Sequence, residues 1–251
     1  MTLLQSDLLL QVPTVIHGFT TKREDLPDWG NVSLIQGDPS HALDNRAKNA
    51  TILDIPPEHL TFSLQEHGTT IRRVSVADRG AGSDSPESSL PPADGLIANE
   101  PGLPLAIMVA DCACILIAER NGQAVGAFHS GWRGTFENMA EAAVRSFQSL
   151  FGIPPVDLAA WISPMICGNC FEVGGDVWKK FEERWGRDHL LENPLRVNLP
   201  GLIGTQLVQA GIEPSNVENS GACTFEEENL FSHRRGETPN GRMMGFISIK
   251  K

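Results

Sequence analysis

The chain has no apolar run long enough to cross a bilayer, for which a helix needs about twenty consecutive apolar residues. Its first stretch, MTLLQSDLLLQVP, has neither the basic start nor the small-residue cleavage site of a secretory signal. The expectation is a cytoplasmic protein without a membrane partner. Positive charge is scarce as well: 20 Lys and Arg face 31 Asp and Glu, for a formal net charge of −11. Nucleic acid is therefore not expected as a partner, because phosphate backbones are held by clustered cations. One small anion remains compatible, since a few local arginines can bind a single phosphate. No long polar linker and no internal repeat divides the 251 residues, so one domain spanning 1–251 is expected. The cysteines number five, which does not suit a disulfide framework and leaves thiols for metal binding or chemistry in a reducing compartment.

What is present is ample apolar material and many turn formers, at 41% hydrophobic residues with 24 Gly and 17 Pro. Leu60, Phe62 and Leu64 alternate with Thr61, Ser63 and Gln65, the two-residue period of a half-buried strand that ends at His67-Gly68. Leu103–Val109 and Cys114–Ala118 are apolar, and the Asn121-Gly122 turn leads into Ala124–Phe128, which predicts a buried hairpin. A helix should follow, because Phe136, Met139, Ala140, Ala143, Phe147 and Leu150 recur at three- and four-residue steps, with Thr135 as cap and Gly152 as stop. Further helices are expected at Asp176–Trp185 and from Asn198 to near Gly211, and strands at Leu158–Ile162 and Met244–Ile249. Asp78–Pro92 is polar and aperiodic and reads as an exposed loop.

Within this pattern Cys112 and His129 stand out, since each sits where a hydrophobic segment gives way to polar or Gly-rich residues. Thiolate and imidazole are preferred zinc ligands, and three protein ligands with one open position mark a catalytic metal site. Antiparallel pairing across the hairpin can bring these two to the same end of neighbouring strands. His67 is the best third candidate. The plainer alternative is a small buried thiol and a histidine making one hydrogen bond. Cys167-Gly-Asn-Cys170 has the spacing of a redox pair or half a zinc knuckle, but no matching second pair is visible, so these read as structural or incidental thiols. Arg133, Arg234 and Arg235 could hold phosphate or form an ordinary solvated surface. Asp111 could orient a ligand, move a proton or simply bond backbone at a strand end. Trp132 could stack on a base or belong to the core.

The segments GFTTK (18–22), QEHGTTI (65–71), ADGLIANEPGLPLAIMVADC (93–112), GAFHSGWRG (126–134), ICGNCFEVG (166–174) and FSHRRGETPNGRMMGFI (231–247) occur in that order. Together they resemble the YfiH family, also called the laccase-domain or polyphenol-oxidase-like family, over nearly the whole chain. The resemblance implies zinc bound by His67, Cys112 and His129, and it matches Asn45-Arg46 to the family's substrate-side Asn-Arg element. This chain departs from the usual Ala-Asp-Cys-Val-Pro at Ala113-Cys114 and from His-Ala-Gly-Trp at Ser130. It also departs from Pro-Cys-Cys-Tyr at Gly168-Asn169-Cys170-Phe171 and from Ser-Tyr-Arg-Arg at His233. None of these changes removes a ligand; they bear on substrate fit.

Pattern and resemblance lead to one expectation for the fold, an α/β single-domain sandwich with mixed β-sheets flanked by helices. For function the resemblance implies phosphorolysis of adenosine or inosine, with methylthioadenosine as a further candidate substrate, and adenosine deamination as a related activity. The catalytic candidates are Asp111, Cys112 and Arg133, and the substrate or phosphate candidates are Arg46, Arg133 and Arg234. The partners are then a purine nucleoside and phosphate, with the chain a monomer or homodimer. Three alternatives stand beside this: copper-dependent phenol oxidation, a metal-free hydrolase using Cys112 and His129, and a metal-binding protein without turnover. Copper oxidation is disfavoured because none of the seven histidines adjoins a cysteine.

Overall fold

A computed structural model describes residues 3–236 and 240–251. Met1 and Thr2 of the N-terminal stretch, and Glu237, Thr238 and Pro239 of the 231–247 motif, lie outside the described residues. In chain order the main elements are β1 (Val15–Phe19), α1 (Pro39–Thr51), β2 (Ile71–Arg73), β3 (Gly95–Ala98), β4 (Leu105–Val109), β5 (Ala113–Glu119), β6 (Val125–Ser130) and α2 (Trp132–Phe136). They continue with α3 (Met139–Phe151), β7 (Leu158–Ile162), α4 (Gly175–Trp185), β8 (Leu190–Leu191), β9 (Arg196–Val197), α5 (Leu199–Gln209), β10 (Val217–Asn219) and β11 (Met243–Ile249). No helix among the described residues is long and apolar enough to cross a membrane.

The architecture is the expected α/β sandwich with mixed sheets. A six-stranded sheet runs β10-β7-β5-β6-β3-β2, a three-stranded sheet runs β1-β11-β4, and β8 and β9 form a small ribbon. The central strands β5, β6 and β7 are buried along their whole length, and strands buried on both faces need continuous apolar runs rather than alternation. Trp161, Leu116, Phe19, Ile107, Met243 and Ile247 share the core cluster between the two sheets. A Cβ at Gly245 would stand 2.5 Å from Cys114 Sγ, so glycine lets the sheets meet there. On the other face of the large sheet, Ile115, Phe128 and Ile162 pack with Phe147 of α3 and with Leu202 and Ile203 of α5. The outer face of the small sheet, at Ala106, Met244 and Phe246, is covered by Phe62, Val32 and Ala50 of α1. Each such fully buried Leu, Ile or Phe contributes roughly 1.5–3 kcal/mol of burial free energy.

The hairpin, the strands near 158–162 and 244–249, and the helices at 176–185 and after Asn198 form where the pattern put them. Three expectations change. Residues 60–65 make only isolated bridges, Thr61 to Leu105 and Ser63 to Leu90. Their alternation fails because Thr61 and Ser63 are buried too, the Ser63 hydroxyl donating to the Ala93 carbonyl at 2.8 Å, while Leu64 is exposed. The helix expected from Phe136 divides in two: Thr135 lies inside α2 with its hydroxyl 2.9 Å from that of Ser130. The cap of α3 is Asn138, held at φ 67° with its side chain accepting from the Glu141 amide, and Gly152 ends α3 as expected. The segment 78–92 is not merely an exposed loop. Leu90 is buried, the Phe62 amide donates to the Ala81 carbonyl at 2.8 Å, and the Leu90 amide donates to the Phe62 carbonyl at 3.0 Å.

Candidate functional site

The site forms where the chain passes from one sheet to the other. β4 belongs to the small sheet and β5 to the large one, so Ala110-Asp111-Cys112 must turn sharply between them. Asp111 adopts φ 78°, a left-handed conformation that a short polar side chain tolerates better than most. Its carboxylate accepts from the Thr224 hydroxyl and from the Arg234 backbone amide, both at 2.6 Å. Those two bonds pin the corner to the 224–235 segment.

Register then sets Cys112 against the end of β6. Ala113 pairs with Ser130 and Cys114 with His129, which brings Cys112 beside Gly131. A Cβ at Gly131 would lie 2.8 Å from Cys112 Sγ and 3.4 Å from His67 Cδ2; only glycine admits both side chains here. Donor atoms of His67, Cys112 and His129 lie within 4.8 Å of one another, and the two imidazoles meet edge to face at 4.7 Å between centroids.

Asp94 organises this cluster. One carboxylate oxygen lies 2.8 Å from His129 Nδ1 and accepts from the His67 amide at 2.9 Å; the other accepts from the amides of Gly68 at 2.7 Å and Glu66 at 3.2 Å. Its own carbonyl accepts from the His129 amide at 2.6 Å. With Nδ1 of His129 committed to Asp94, Nε2 is the ring nitrogen left for a ligand, which is how a buried carboxylate fixes a metal-binding histidine. Gln65 steadies the same loop by a two-bond clamp on Met108, its side chain donating to the Met108 carbonyl and accepting from the Met108 amide, each at 2.9 Å.

The electrostatics follow from these contacts. Burial alone would raise the Cys112 thiol, yet the charge of His129 and hydrogen bonds from His129 and His67 bring it down to about 6. Burial would likewise lower His129, but the adjoining Cys112 thiolate, followed by Asp94, lifts it to about 9. For Asp94, burial opposes ionisation, and the His129 bond with the Gly68 and Glu66 amides outweighs it, keeping the carboxyl below its usual range. The thiolate is the metal-binding form of cysteine. One thiolate and two imidazoles with an open side suit a borderline-soft transition metal such as zinc or copper. The residues present therefore fit a metal ion.

The open side faces a cavity of about 440 Å³ whose walls include His67, Cys112, His129, Phe62, Met108 and Arg242. That volume lies in the range of small-molecule sites, roughly 300–1,000 Å³. Arg46 also lines it, but the guanidinium is buried and largely committed. It donates to the carbonyls of Val32, Gly82 and Ser83 at 2.8, 2.8 and 2.9 Å and lies 4.2 Å from the centre of the Phe62 ring. Arg133 and Arg234 are not among the lining residues. Arg133 is exposed and stacks on Trp132 at 4.5 Å, while the Arg234 side chain donates to the Glu172 carbonyl at 2.9 Å and stacks on Phe171 at 5.2 Å.

Three participants escaped the sequence reading: Asp94, Gln65 and Arg242. All lie inside the motifs at 65–71, 93–112 and 231–247, so the signal was there without a role attached. Arg242 donates to the carbonyls of Asn240 and Gly241 at 2.8 and 2.9 Å. Burial lowers its pKa, against the opposing charges of Cys112 and Asp111.

A family model described as multi-copper polyphenol oxidoreductase laccase matches residues 16–250. The chain is 33% identical over 250 residues to "Purine nucleoside phosphorylase YlmD" of Geobacillus stearothermophilus, covering 94% of this chain and 90% of that protein. It is 31% identical over 248 residues to the protein of the same name from Bacillus subtilis, covering 94% and 89%. Among solved structures, the "hypothetical protein YfiH" of Bacillus licheniformis matches with a TM-score of 0.89 at 32% identity, covering 95% of this chain and 94% of that one.

Proposed function

From the premise that the chain belongs to the multi-copper polyphenol oxidoreductase laccase family, we propose that it is a zinc-dependent purine nucleoside phosphorylase. Its substrates are adenosine and inosine, with methylthioadenosine as a further candidate, and adenosine deamination is a side activity. The observation that carries the reading is the meeting of His67, Cys112 and His129, oriented by Asp94, on a cavity that also holds a cationic side chain, Arg242. The relatives named purine nucleoside phosphorylase support the choice of substrate class. The protein works in the cytoplasm as one catalytic domain, monomeric or homodimeric.

In phosphorolysis a phosphate oxygen forms a bond to the ribose anomeric carbon as the bond from that carbon to the purine nitrogen breaks. The electron pair leaves with the base, which takes up a proton, and the products are free purine and ribose 1-phosphate. His67, Cys112 and His129 would hold the metal, which would supply Lewis acidity towards negative charge in the cavity. Arg242 is assigned to phosphate, because a guanidinium offers paired donors to an oxyanion and this one faces the cavity whereas Arg133 and Arg234 do not. Phe62 and Met108 supply apolar wall for the purine, and Arg46 backs the Phe62 ring. Cys112 acts as a ligand. Asp111, with both oxygens already accepting bonds, positions the Cys112 corner rather than moving a proton. Deamination would share the purine pocket, form a bond from water oxygen to the purine carbon as the exocyclic amine leaves as ammonia, and need no phosphate.

The low thiol pKa of Cys112 beside His129 also suits a metal-free nucleophile, and that is the alternative an experiment must separate. Base release from inosine should rise and saturate with phosphate and yield ribose 1-phosphate. An equal rate in phosphate-free buffer would overturn the phosphorylase reading, and absence of turnover on every purine nucleoside by metal-loaded protein would favour a binding role.

A further inference from the structure

Cys167 and Cys170 have no second cysteine pair in sequence, but the fold brings them company. β10 runs parallel to β7, with Val217 to Asn219 in register with Ala160 to Ile162. The segments leaving the two strands therefore travel side by side. The pairing continues as a bridge between Met165 and Cys223, with the Met165 amide donating to the Ala222 carbonyl at 3.3 Å and the Thr224 amide to the Met165 carbonyl at 3.1 Å. Cys223 is thereby set against the 167–170 turn, where the Cys167 amide donates to its sulfur at 3.3 Å. The Cys170 thiol in turn donates to the Glu226 carboxylate at 3.4 Å.

One donor atom from each of Cys167, Cys170, Cys223 and Glu226 lies within 4.8 Å of all the others. The cluster differs from the open one in two ways. It supplies four donors instead of three, and none of its members lines the cavity. Ligand atoms around tetrahedral zinc with Zn–S near 2.3 Å stand roughly 3.8 Å apart, so the four donors need to contract by about 1 Å at most. Three sulfurs and one carboxylate fill a tetrahedron without leaving a position for substrate, which is the arrangement of a structural site.

We propose that Cys167, Cys170, Cys223 and Glu226 form a second, structural site for a soft divalent cation of the zinc class. Binding expels the thiol protons, up to three per ion, as thiolates replace thiols around the metal. The ion ties the turn at 167–170 to residues 223–226. That segment holds Thr224, whose hydroxyl grips Asp111 at the corner leading to Cys112. The Arg235 guanidinium reinforces it, donating to the carbonyls of Thr224, Phe225 and Leu230. The closed site thus braces the wall behind the open one without touching substrate.

The test is zinc content by elemental analysis of the full chain, purified in reductant and dialysed against a weak chelator. Two equivalents are expected in the parent, one in Cys112→Ser, one in Cys170→Ser and none when both changes are combined. Cys112→Ser loaded with cobalt(II) should keep near-ultraviolet thiolate charge-transfer absorption, since its remaining site carries three sulfurs. This readout does not require Cys170→Ser to fold. Folded Cys112→Ser that binds neither zinc nor cobalt would overturn the proposal, as would equal zinc in the parent and Cys170→Ser. An intact mass short of two hydrogens in the reductant-purified protein would also contradict it, because it would show a disulfide in place of the thiolates. The function proposed for the cavity survives any of these failures, since it rests on the other cluster.

Discussion

The molecule gathers thiols twice, with opposite consequences. At the open cluster one sulfur and two imidazoles face a cavity of about 440 Å³, and a buried carboxylate orients them. At the closed cluster three sulfurs and an exposed carboxylate face one another between two parallel loops. The first leaves room for a reacting molecule. The second fills its coordination sphere with protein. Coordination chemistry draws the same line between catalytic and structural sites, so the number of donors and the cavity beside them, rather than the presence of cysteine, separate chemistry from bracing.

That contrast is sharpened most by Asp94, which serves the open cluster alone. Asp94→Asn keeps the shape but weakens the anchor on His129 Nδ1 and on the amides of residues 66 to 68. Metal affinity at the open cluster, or turnover, should fall about 10- to 100-fold, with the closed cluster unaffected. Metal titration of Asp94→Asn in the Cys170→Ser background checks the loss at the open cluster, and unchanged affinity there would remove Asp94 from its role.

A smaller effect distinguishes the arginines. Arg242→Lys should lower kcat/KM by about tenfold, corresponding to a charged contact of about 1.5 kcal/mol, and the loss should appear in the phosphate dependence. Arg133→Lys, at an exposed residue stacked on Trp132, should stay within about twofold, since exposed substitutions are usually worth no more than about 0.5 kcal/mol. The reverse ranking in phosphate titrations would return the anion to the strand-to-helix turn.

The sequence carried a good deal of this, for identifiable reasons. β7 and the β5–β6 hairpin were legible because central strands are continuous apolar runs, and the hairpin register alone carries Cys112 towards His129. His67 was legible as a candidate although its supposed strand is only a pair of bridges, because the glycine after it and the end of the apolar pattern are local features. Asp94 was not. It acts across 27 residues on His67 and 35 on His129, and nothing local says that a carboxylate before a strand will reach either. Cys223 was missed for the same reason, standing 56 residues from Cys167; only the parallel pairing of β7 and β10 joins them. Arg133 and Arg234 stand outside the lining of this cavity, because adjacency to a motif does not set the direction of a long side chain.

The smallest functional effect is expected at the closed cluster. Replacing Cys167 and Cys170 together by serine should leave turnover at 25 °C within a few-fold of the parent while lowering the thermal midpoint. Losing a brace worth about 1 kcal/mol shifts the midpoint of a domain this size by roughly 2–4 °C. A total loss of turnover with metal still bound at the open cluster would show that the two sites are not separate in function.

The central claim, that the open cluster is the metal centre of phosphorolysis, is tested most directly by removing and restoring the ion. Ribose 1-phosphate formation from inosine at saturating phosphate is followed in the Cys170→Ser chain, where only the open cluster is left to hold metal. The account predicts that a strong chelator abolishes product formation and that one equivalent of zinc restores it. Undiminished phosphorolysis by the fully metal-free chain would contradict it.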